Sequence, residues 1–278
     1  MSEFEKLKVV TKYELLKQIR RKRFYGALAL TVLAMLLTIG LYQGLDLPRR
    51  MGLPDTLISQ YRVEIFAIFT TSMGALAILG AVFFSGDAIA SEFEHKTGYT
   101  LFLNPVKRTT IVVGKYLACF IATAAILIIA YLISAGALLA FYGTVPVGGM
   151  LGSLAIALVL ACFVISMAFA FSSVLKGGMG ATIATLLTYM VIFSVISMSL
   201  SYAGYNPWFM PDRAGDAMTA TYGVSFESVF GGMMGGGHAI TGMARASQDP
   251  ALSFFVLLVY AIILFGLSIW LANRKEMI

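Results

Sequence analysis

Charged residues are scarce in this sequence of 278 residues, of which only 12% are Asp, Glu, Lys or Arg. Soluble globular proteins usually carry about 25% charged residues and about 45–50% apolar ones. Here 59% of the residues are hydrophobic, which excludes an ordinary soluble domain. The composition instead predicts a compact helical bundle in a membrane.

Cysteine and histidine are also rare. Cys119 and Cys162 both lie inside long apolar runs, which disfavours a structural disulfide. His95 and His238 fall on opposite sides of the membrane in the topology derived below, so they cannot share a metal site within one chain. Because no histidine lies in a span, a membrane-embedded serine protease lacks its base. We predict no catalytic residue and no metal site.

A nucleotide-binding loop is missing as well. The glycine-rich run 231–237 lacks the Gly-Lys-Ser/Thr ending of a phosphate-binding loop, and this motif occurs nowhere else in the chain. We therefore expect that the chain is not an enzyme and does not itself hydrolyse ATP by the mechanism of such loops.

Six apolar runs are long enough to cross a bilayer, which takes about 20 residues of helix. They cover residues 24–42, 63–84, 116–141, 150–175, 179–202 and 252–272. Glu64 is the only charged residue in them, as expected when each central charge costs about 2.5–3.5 kcal/mol on insertion. Transmembrane strands would instead alternate over segments of about ten residues. The predicted fold class is an all-α polytopic membrane protein with six transmembrane helices.

Lysine and arginine are unevenly distributed around these runs. They concentrate in residues 1–23, in the loop 86–115, at Lys176 and in the tail after the last span. Cytoplasmic loops are enriched in these two residues, so both termini are predicted to be cytoplasmic. The net charge of +6 is then explained by anionic lipid headgroups, and we expect no nucleic-acid partner.

Residues 1–23 form an amphipathic segment before the first span. Val9, Tyr13 and Leu16 follow helical spacing and would share one face, with lysines and arginines around them. Such a segment is typical of a helix that lies in the membrane interface. A plain basic extension of the first transmembrane helix is the alternative, and we favour the interfacial helix.

The cytoplasmic loop 86–115 is the most distinctive soluble segment. Its acidic residues Glu92 and Glu94 precede an apolar patch at residues 101–103, and Pro105 should end any helix there. Apolar side chains in a charged cytoplasmic loop indicate docking to a partner protein. A loop folded onto its own bundle explains the same residues equally well on physical grounds.

This loop resembles that of the type-2 ABC exporter permeases. In that family an acidic stretch is followed by Gly-Thr, a leucine-rich run, a proline with a basic residue soon after, and a Gly-Lys that opens the third helix. Here Gly114-Lys115 is that last pair, and Lys96 stands where the family has glycine. The family's loop is the coupling helix that seats in the ATPase subunit. The resemblance thus assigns ATPase coupling to Glu92, Phe93, Glu94, Thr97, Leu101, Phe102, Pro105 and Arg108.

The external segment 203–251 is unusually long for a connection in a compact protein. The resemblance implies short re-entrant helices here, which dip back from the outer surface and cap the pathway. Its aromatic residues Trp208, Phe209, Phe226 and Phe230 are therefore candidates to line the substrate path. A surface cap without substrate contact is the alternative.

The function implied by the resemblance is that of a permease subunit in an ATP-binding-cassette exporter of the plasma membrane. It would pair with a second permease copy or homologue and with two cytoplasmic ATPase subunits, which would hold ATP and Mg²⁺. The chain itself would hold no cofactor. The spans carry almost no charge, which disfavours a stand-alone secondary transporter driven by ions. Such a transporter, a channel and a membrane scaffold without transport are the competing functions.

Overall fold

A computed structural model describes residues 2–50, 53, 55–71, 74–90, 107–175, 177–224 and 248–274. Every regular element among these residues is helical, which confirms the predicted all-α class. In chain order the elements are α1 Glu3–Arg20, α2 Lys22–Gly44, α3 Leu47–Arg50, α4 Asp55–Gln60, α5 Arg62–Thr71, α6 Gly74–Ser85, α7 Arg108–Tyr142, α8 Val147–Val174, α9 Gly178–Leu187, a π-helical stretch Thr188–Phe193, α10 Ser194–Tyr202, a 3-10 turn Pro211–Arg213, α11 Ala214–Ala220 and α12 Pro250–Arg274.

Five helices in the described part of the chain are long and apolar enough to cross a membrane. They are α2, α7, α8, the continuous helix Gly178–Tyr202 and α12, and they correspond to five of the six predicted spans. The predicted span 63–84 is present as α5 and α6, which lie on either side of residues 72–73. Neither is long enough alone, so a total of six crossings stays a prediction.

Helix α7 extends well beyond the predicted span 116–141. It begins at Arg108 and has 35 residues, or about 52 Å of helix against a hydrocarbon core of about 30 Å. Residues 108–115, which the sequence suggested as loop, are its first two turns. The helix ends at Gly143, whose φ of 70° is the left-handed conformation that glycine adopts readily. One end of α7 must therefore project out of the hydrocarbon core.

Helix α8 is the centre of the bundle. Of its most apolar stretch 67% is buried, against 11% for α2 and 17% for the helix Gly178–Tyr202. Helices α6, α7 and α12 pack around it, and its Phe163 and Phe169 are fully buried. The two peripheral helices expose leucine, isoleucine and methionine side chains to the surroundings, as helices in contact with lipid or with another membrane subunit do.

The N-terminal helix α1 is separate from α2. It opens with a capping box, in which the Ser2 hydroxyl accepts from the Glu5 amide and the Glu5 carboxylate accepts from the Ser2 amide. At Arg21 the backbone is extended, with φ −74° and ψ 138°, which ends α1 before α2 begins. A separate helix agrees with the interfacial interpretation better than with a plain extension of the first span, although its place at a membrane surface stays a prediction.

Candidate functional site

The predicted coupling loop connects α6 with α7. Of its predicted coupling residues, only Arg108 is among those that the structure describes, and it is the first residue of α7. The others lie outside the described residues: Glu92, Phe93, Glu94, Thr97, Leu101, Phe102 and Pro105. What the structure does show is how the two ends of the loop are held. We call the polar residues that hold them, Glu14, Gln18, Asp87, Lys115 and Cys119, the loop root.

Helix α1 lies directly against the first turns of α7. A Cβ atom added at Gly114 would come within 2.6 Å of Val10 Cγ1 and 3.2 Å of Val10 Cβ, so only glycine permits this approach. One turn before Gly114, the Thr110 hydroxyl donates to the Glu3 carboxylate at 3.3 Å. The two helices therefore stay in contact from the start of α7 onward.

An ion pair joins the same two helices inside the protein. Lys115 Nζ lies 3.0 Å from Glu14 Oε1, and the two side chains are 6% and 15% exposed. Glu14 also lies 3.8 Å from Lys17 on its own helix. Removing one partner of a charge pair with this little exposure strongly destabilises a protein, because the other charge stays buried. Lys115 is the basic residue of the Gly-Lys pair that the sequence singled out.

The start of the loop, which follows α6, is held by side chains that donate hydrogen bonds to a carbonyl group in the last turn of α6. The last carbonyl groups of a helix have no partner within it. Here the Phe84 carbonyl accepts from Gln18 Nε2 at 3.1 Å and from the Cys119 thiol at 3.0 Å. Gln18 is on α1 and Cys119 on α7, so the end of α6 is tied to both helices. Both side chains are buried.

Four further contacts fix residues 86–90, the described start of the loop. Asp87 Oδ2 lies 2.6 Å from Arg23 Nη1 and 3.7 Å from Arg21 Nη1, at the junction of α1 and α2. The Ser172 hydroxyl of α8 accepts from the amides of Ile89 at 3.1 Å and Ala90 at 2.8 Å. The loop entry is therefore attached to α8 as well as to α1 and α2.

Part of the external segment folds back into the bundle. The Tyr189 hydroxyl, on the π-helical stretch, donates to the Pro211 carbonyl at 3.5 Å. Tyr189 comes 13 residues before Tyr202, where its helix ends, which is about 20 Å along a helix. Pro211 therefore lies far below that end, and α11 packs between α8 and α12.

Charged residues enter the bundle with this segment. Arg213 is 1% exposed and Asp216 8% exposed, and Arg213 Nη1 lies 3.1 Å from Asp216 Oδ2. Neither residue is among the predicted site residues. An Arg and an Asp three positions apart in an otherwise apolar segment were the available signal, since this spacing places them on one helical face. The external segment thus brings the ionisable side chains of Arg213 and Asp216 into the interior.

A set of buried hydroxyl groups lies where the external segment contacts the bundle. Tyr222 bonds to Thr71 of α5 at 2.8 Å, and Tyr131 of α7 bonds to Ser153 of α8 at 2.8 Å. Burial raises the pKa of Tyr222, while its hydrogen bonds to Thr71 and Ser153 act in the opposite direction. A void of about 10 Å³ adjoins Thr71 and Tyr131, about the space that one water molecule needs. The Tyr222 hydroxyl thus ties the external segment to α5 and α8, and the bond between Tyr131 and Ser153 joins α7 to α8.

The sequence matches the family described as ABC-2 family transporter protein over residues 8–277. The chain belongs to the ABC-2 transporter family. The resemblance found in the loop 86–115 is thereby confirmed for nearly the whole chain. A search of curated proteins found no match. Membership in the family supports a multi-pass membrane permease of an ABC exporter, which in general works with an ABC ATPase.

The predicted substrate-path residues of this ABC-2 permease fall in two groups. Trp208 and Phe209 are neighbours with perpendicular rings at 5.9 Å, and they are 49% and 38% exposed. Gln248 fixes this turn by donating to the Trp208 carbonyl at 3.0 Å. The two rings are therefore on the surface of the single chain. Phe226 and Phe230 lie outside the described residues.

Proposed function

We propose that this chain forms the translocation pathway of an exporter that is driven by a separate cytoplasmic ATPase docked on residues 86–115. The loop root is the observation that supports the proposal. Both ends of the loop are bound to α1, and its entry is also bound to α8. A displacement imposed on the loop by a partner would thus reach α1, α7 and α8 together, and α8 is the centre of the bundle.

The proposed assembly contains two ATPase subunits and a second permease copy or homologue in the plasma membrane, with ATP and Mg²⁺ bound on the ATPase. Six crossings and cytoplasmic termini complete the topology. The most exposed apolar helices, α2 and Gly178–Tyr202, are the surfaces that a second permease would cover in part. The exposed rings of Trp208 and Phe209 follow the second of these helices in the chain, which supports a substrate path between permeases.

Helix α1 is proposed to lie at the cytoplasmic membrane interface. Val9, Tyr13 and Leu16 are 40%, 69% and 38% exposed, while Val10, Glu14 and Gln18 face α7 and the loop root. Exposed lysines accompany the apolar stripe. An apolar stripe with basic neighbours suits contact with anionic lipid headgroups.

The experiment that tests the proposed function is purification of the tagged permease from its native membrane in mild detergent. We expect an ABC ATPase to co-purify and to hydrolyse ATP in the complex. The double variant Glu92→Lys/Glu94→Lys should weaken that association by about tenfold or more, the factor that corresponds to about 1.4 kcal/mol.

The matched control is Asp55→Lys, an exposed acidic residue on the side that we predict to be external. It should leave ATPase association unchanged. Repeated purification of the permease without any ATPase would refute the proposed function. Equal association for the double variant and the native chain would refute the docking site and leave the family membership intact.

A further inference from the structure

The loop entry, residues 86–90, contacts two consecutive helices, α8 and α9. On α8, the Ser172 hydroxyl accepts from two backbone amides of the loop entry. On α9, Thr182 lies against Gly86, and a Cβ atom added at Gly86 would come within 2.2 Å of Thr182 Oγ1. Gly86 is itself buried. The loop entry is therefore in contact with the bundle on either side of the short connection between α8 and α9.

The contact between Gly86 and α9 reaches the helix backbone. The added Cβ atom would also lie 2.9 Å from Thr182 Cβ and 3.0 Å from Thr182 Cα. A change of the threonine rotamer would relieve the contact with Oγ1 but not these two. Gly86 does not have a positive φ, so the close approach and not the backbone conformation requires glycine. A side chain at position 86 must therefore increase the distance between the loop entry and α9.

Helix α9 is the first part of the continuous helix Gly178–Tyr202, which is the less buried of the two helices. Only 17% of its most apolar stretch is buried, against 67% for α8. An element with few buried contacts opposes displacement less than one at the centre of the core. When the loop entry moves, the helix Gly178–Tyr202 should therefore move relative to α8. This helix is also one of the two exposed apolar surfaces that a second permease would cover in part.

We propose that the contact between Gly86 and Thr182 transmits movement of the loop to the helix Gly178–Tyr202. Gly86 and Thr182 are positioning residues, which act through this helix and not on the cargo. The inference rests on the proposed ATP-driven function, because the ATPase supplies the movement of the loop. It adds to that function by naming the span that is displaced relative to α8.

The displacement is measured as a distance between two spin labels, one on α9 and one on α12, by pulsed electron paramagnetic resonance. Met179→Cys and Leu267→Cys supply the label sites, since these side chains are 79% and 43% exposed. Helix α12 is the reference, because its Ser268 carbonyl accepts from the Ser173 hydroxyl of α8. Variants with only one of the two labels identify distances between two copies of the chain.

The native thiols are removed by Cys119→Ser and Cys162→Ala, and serine keeps a donor for the Phe84 carbonyl. In the complex with its ATPase, trapping with ATP and vanadate should shift the label distance by about 1–2 Å or more, the size of helix shifts at subunit interfaces of allosteric proteins. An unchanged distance in a complex that hydrolyses ATP would overturn the inference and leave the proposed function intact. Purification without any ATPase would refute the proposed function, and this inference with it.

The variant Gly86→Ala tests the contact itself. The added Cβ atom should shift the label distance in the permease alone, and trapping with nucleotide in the complex should then produce no further shift. Gly80→Ala is the matched control on α6, because its Cβ atom would meet Thr123 Cγ2 at an ordinary distance of 3.5 Å. The control should respond to nucleotide as the native chain does. A native shift on trapping in the Gly86→Ala complex would contradict the role of Gly86.

The variant Thr182→Ala approaches the same contact from α9 and adds no atom, so it remains informative if Gly86→Ala does not fold. It loosens the contact, and the shift on trapping should be smaller than in the native chain. Thr185→Ala is its control, because both hydroxyls donate to the carbonyl four residues before them, at 3.0 Å for Thr182 and 2.8 Å for Thr185. A purely structural role would lower Tm in both variants without changing either shift. Equal shifts in the two variants would refute the positioning role of Thr182.

Discussion

The Nζ atom of Lys115 lies 3.0 Å from Oε1 of Glu14, and only 6% of the lysine side chain is exposed. This pair connects the second position of the Gly-Lys motif with the middle of α1. It therefore links the returning end of the predicted coupling loop to a helix that the motif itself does not include. Because the pair is largely buried, loss of one of its two charges should lower the stability of the protein.

We expect Glu14→Gln to destabilise the protein by about 3–5 kcal/mol, because the buried Lys115 ammonium loses this carboxylate. The double variant Glu14→Gln/Lys115→Met should recover part of that loss, since neither charge is then buried. The measurement is the thermal midpoint, Tm, of each detergent-solubilised variant by size-exclusion chromatography. Glu5→Gln, in an exposed position of the same helix, is the control for a change of net charge, because the glutamine side chain can still accept the capping bond from the Ser2 amide. A Tm for Glu14→Gln equal to that of the native chain would contradict the prediction.

The packing of α1 on α7 gives a second prediction, at Gly114. Gly114→Ala should cost about 1–3 kcal/mol, as overpacking of a tight contact does, because its Cβ would meet Val10 Cγ1 at 2.6 Å. Val10→Ala in the same chain should relieve most of that cost. Gly136→Ala lies in the same helix with no atom within 4 Å of the added Cβ, and it should be neutral or slightly stabilising. If both alanine variants had the same Tm, the close approach would not determine stability.

The main features of the fold could be predicted from the sequence because membrane helices need long runs without charge. Five of the predicted spans occur as single helices, and four of these have boundaries within three residues of the prediction. The exception, 63–84, is represented by α5 and α6, with residues 72–73 between them outside the described part of the chain. The start of α7 was also misplaced, because hydropathy detects the hydrocarbon core and not the helical turns that continue into the polar region.

The candidate site was predictable only in part, because its polar residues come from separate segments. The sequence pointed to Lys115 through the Gly-Lys pair, but not to Glu14 or Gln18, which share its surroundings. Val10, Glu14 and Gln18 are spaced four residues apart, and this spacing indicates a second helical face beside the apolar one. Hydrophobic patterning highlights Val9 and Tyr13 instead, since a buried polar residue looks like a solvated one in the sequence.

The attachment of the loop entry to α8 gives a third prediction, at Ser172. Ser172→Ala removes the hydroxyl that accepts from the Ile89 and Ala90 amides, and each buried amide without its partner costs about 1–3 kcal/mol. We expect a lower Tm. In the complex with the ATPase, we expect that conformational changes of the permease no longer alter the rate of ATP hydrolysis. Ser173→Ala is the matched control, because the Ser173 hydroxyl only donates to carbonyls. Comparable loss in both variants would show that Ser172 has no special role.

The hydroxyl bond between Thr71 and Tyr222 can be isolated by a double-mutant cycle. Tyr222→Phe should cost about 0.5–1.5 kcal/mol, the net contribution of a neutral hydrogen bond, because it removes the partner at 2.8 Å. Thr71→Val removes the same bond from the other side, so the double variant should cost less than the sum of the two single changes. Tyr202→Phe, in an exposed ring, should have no effect. Strict additivity of the two changes in unfolding experiments would mean that the bond does not hold the external segment to α5.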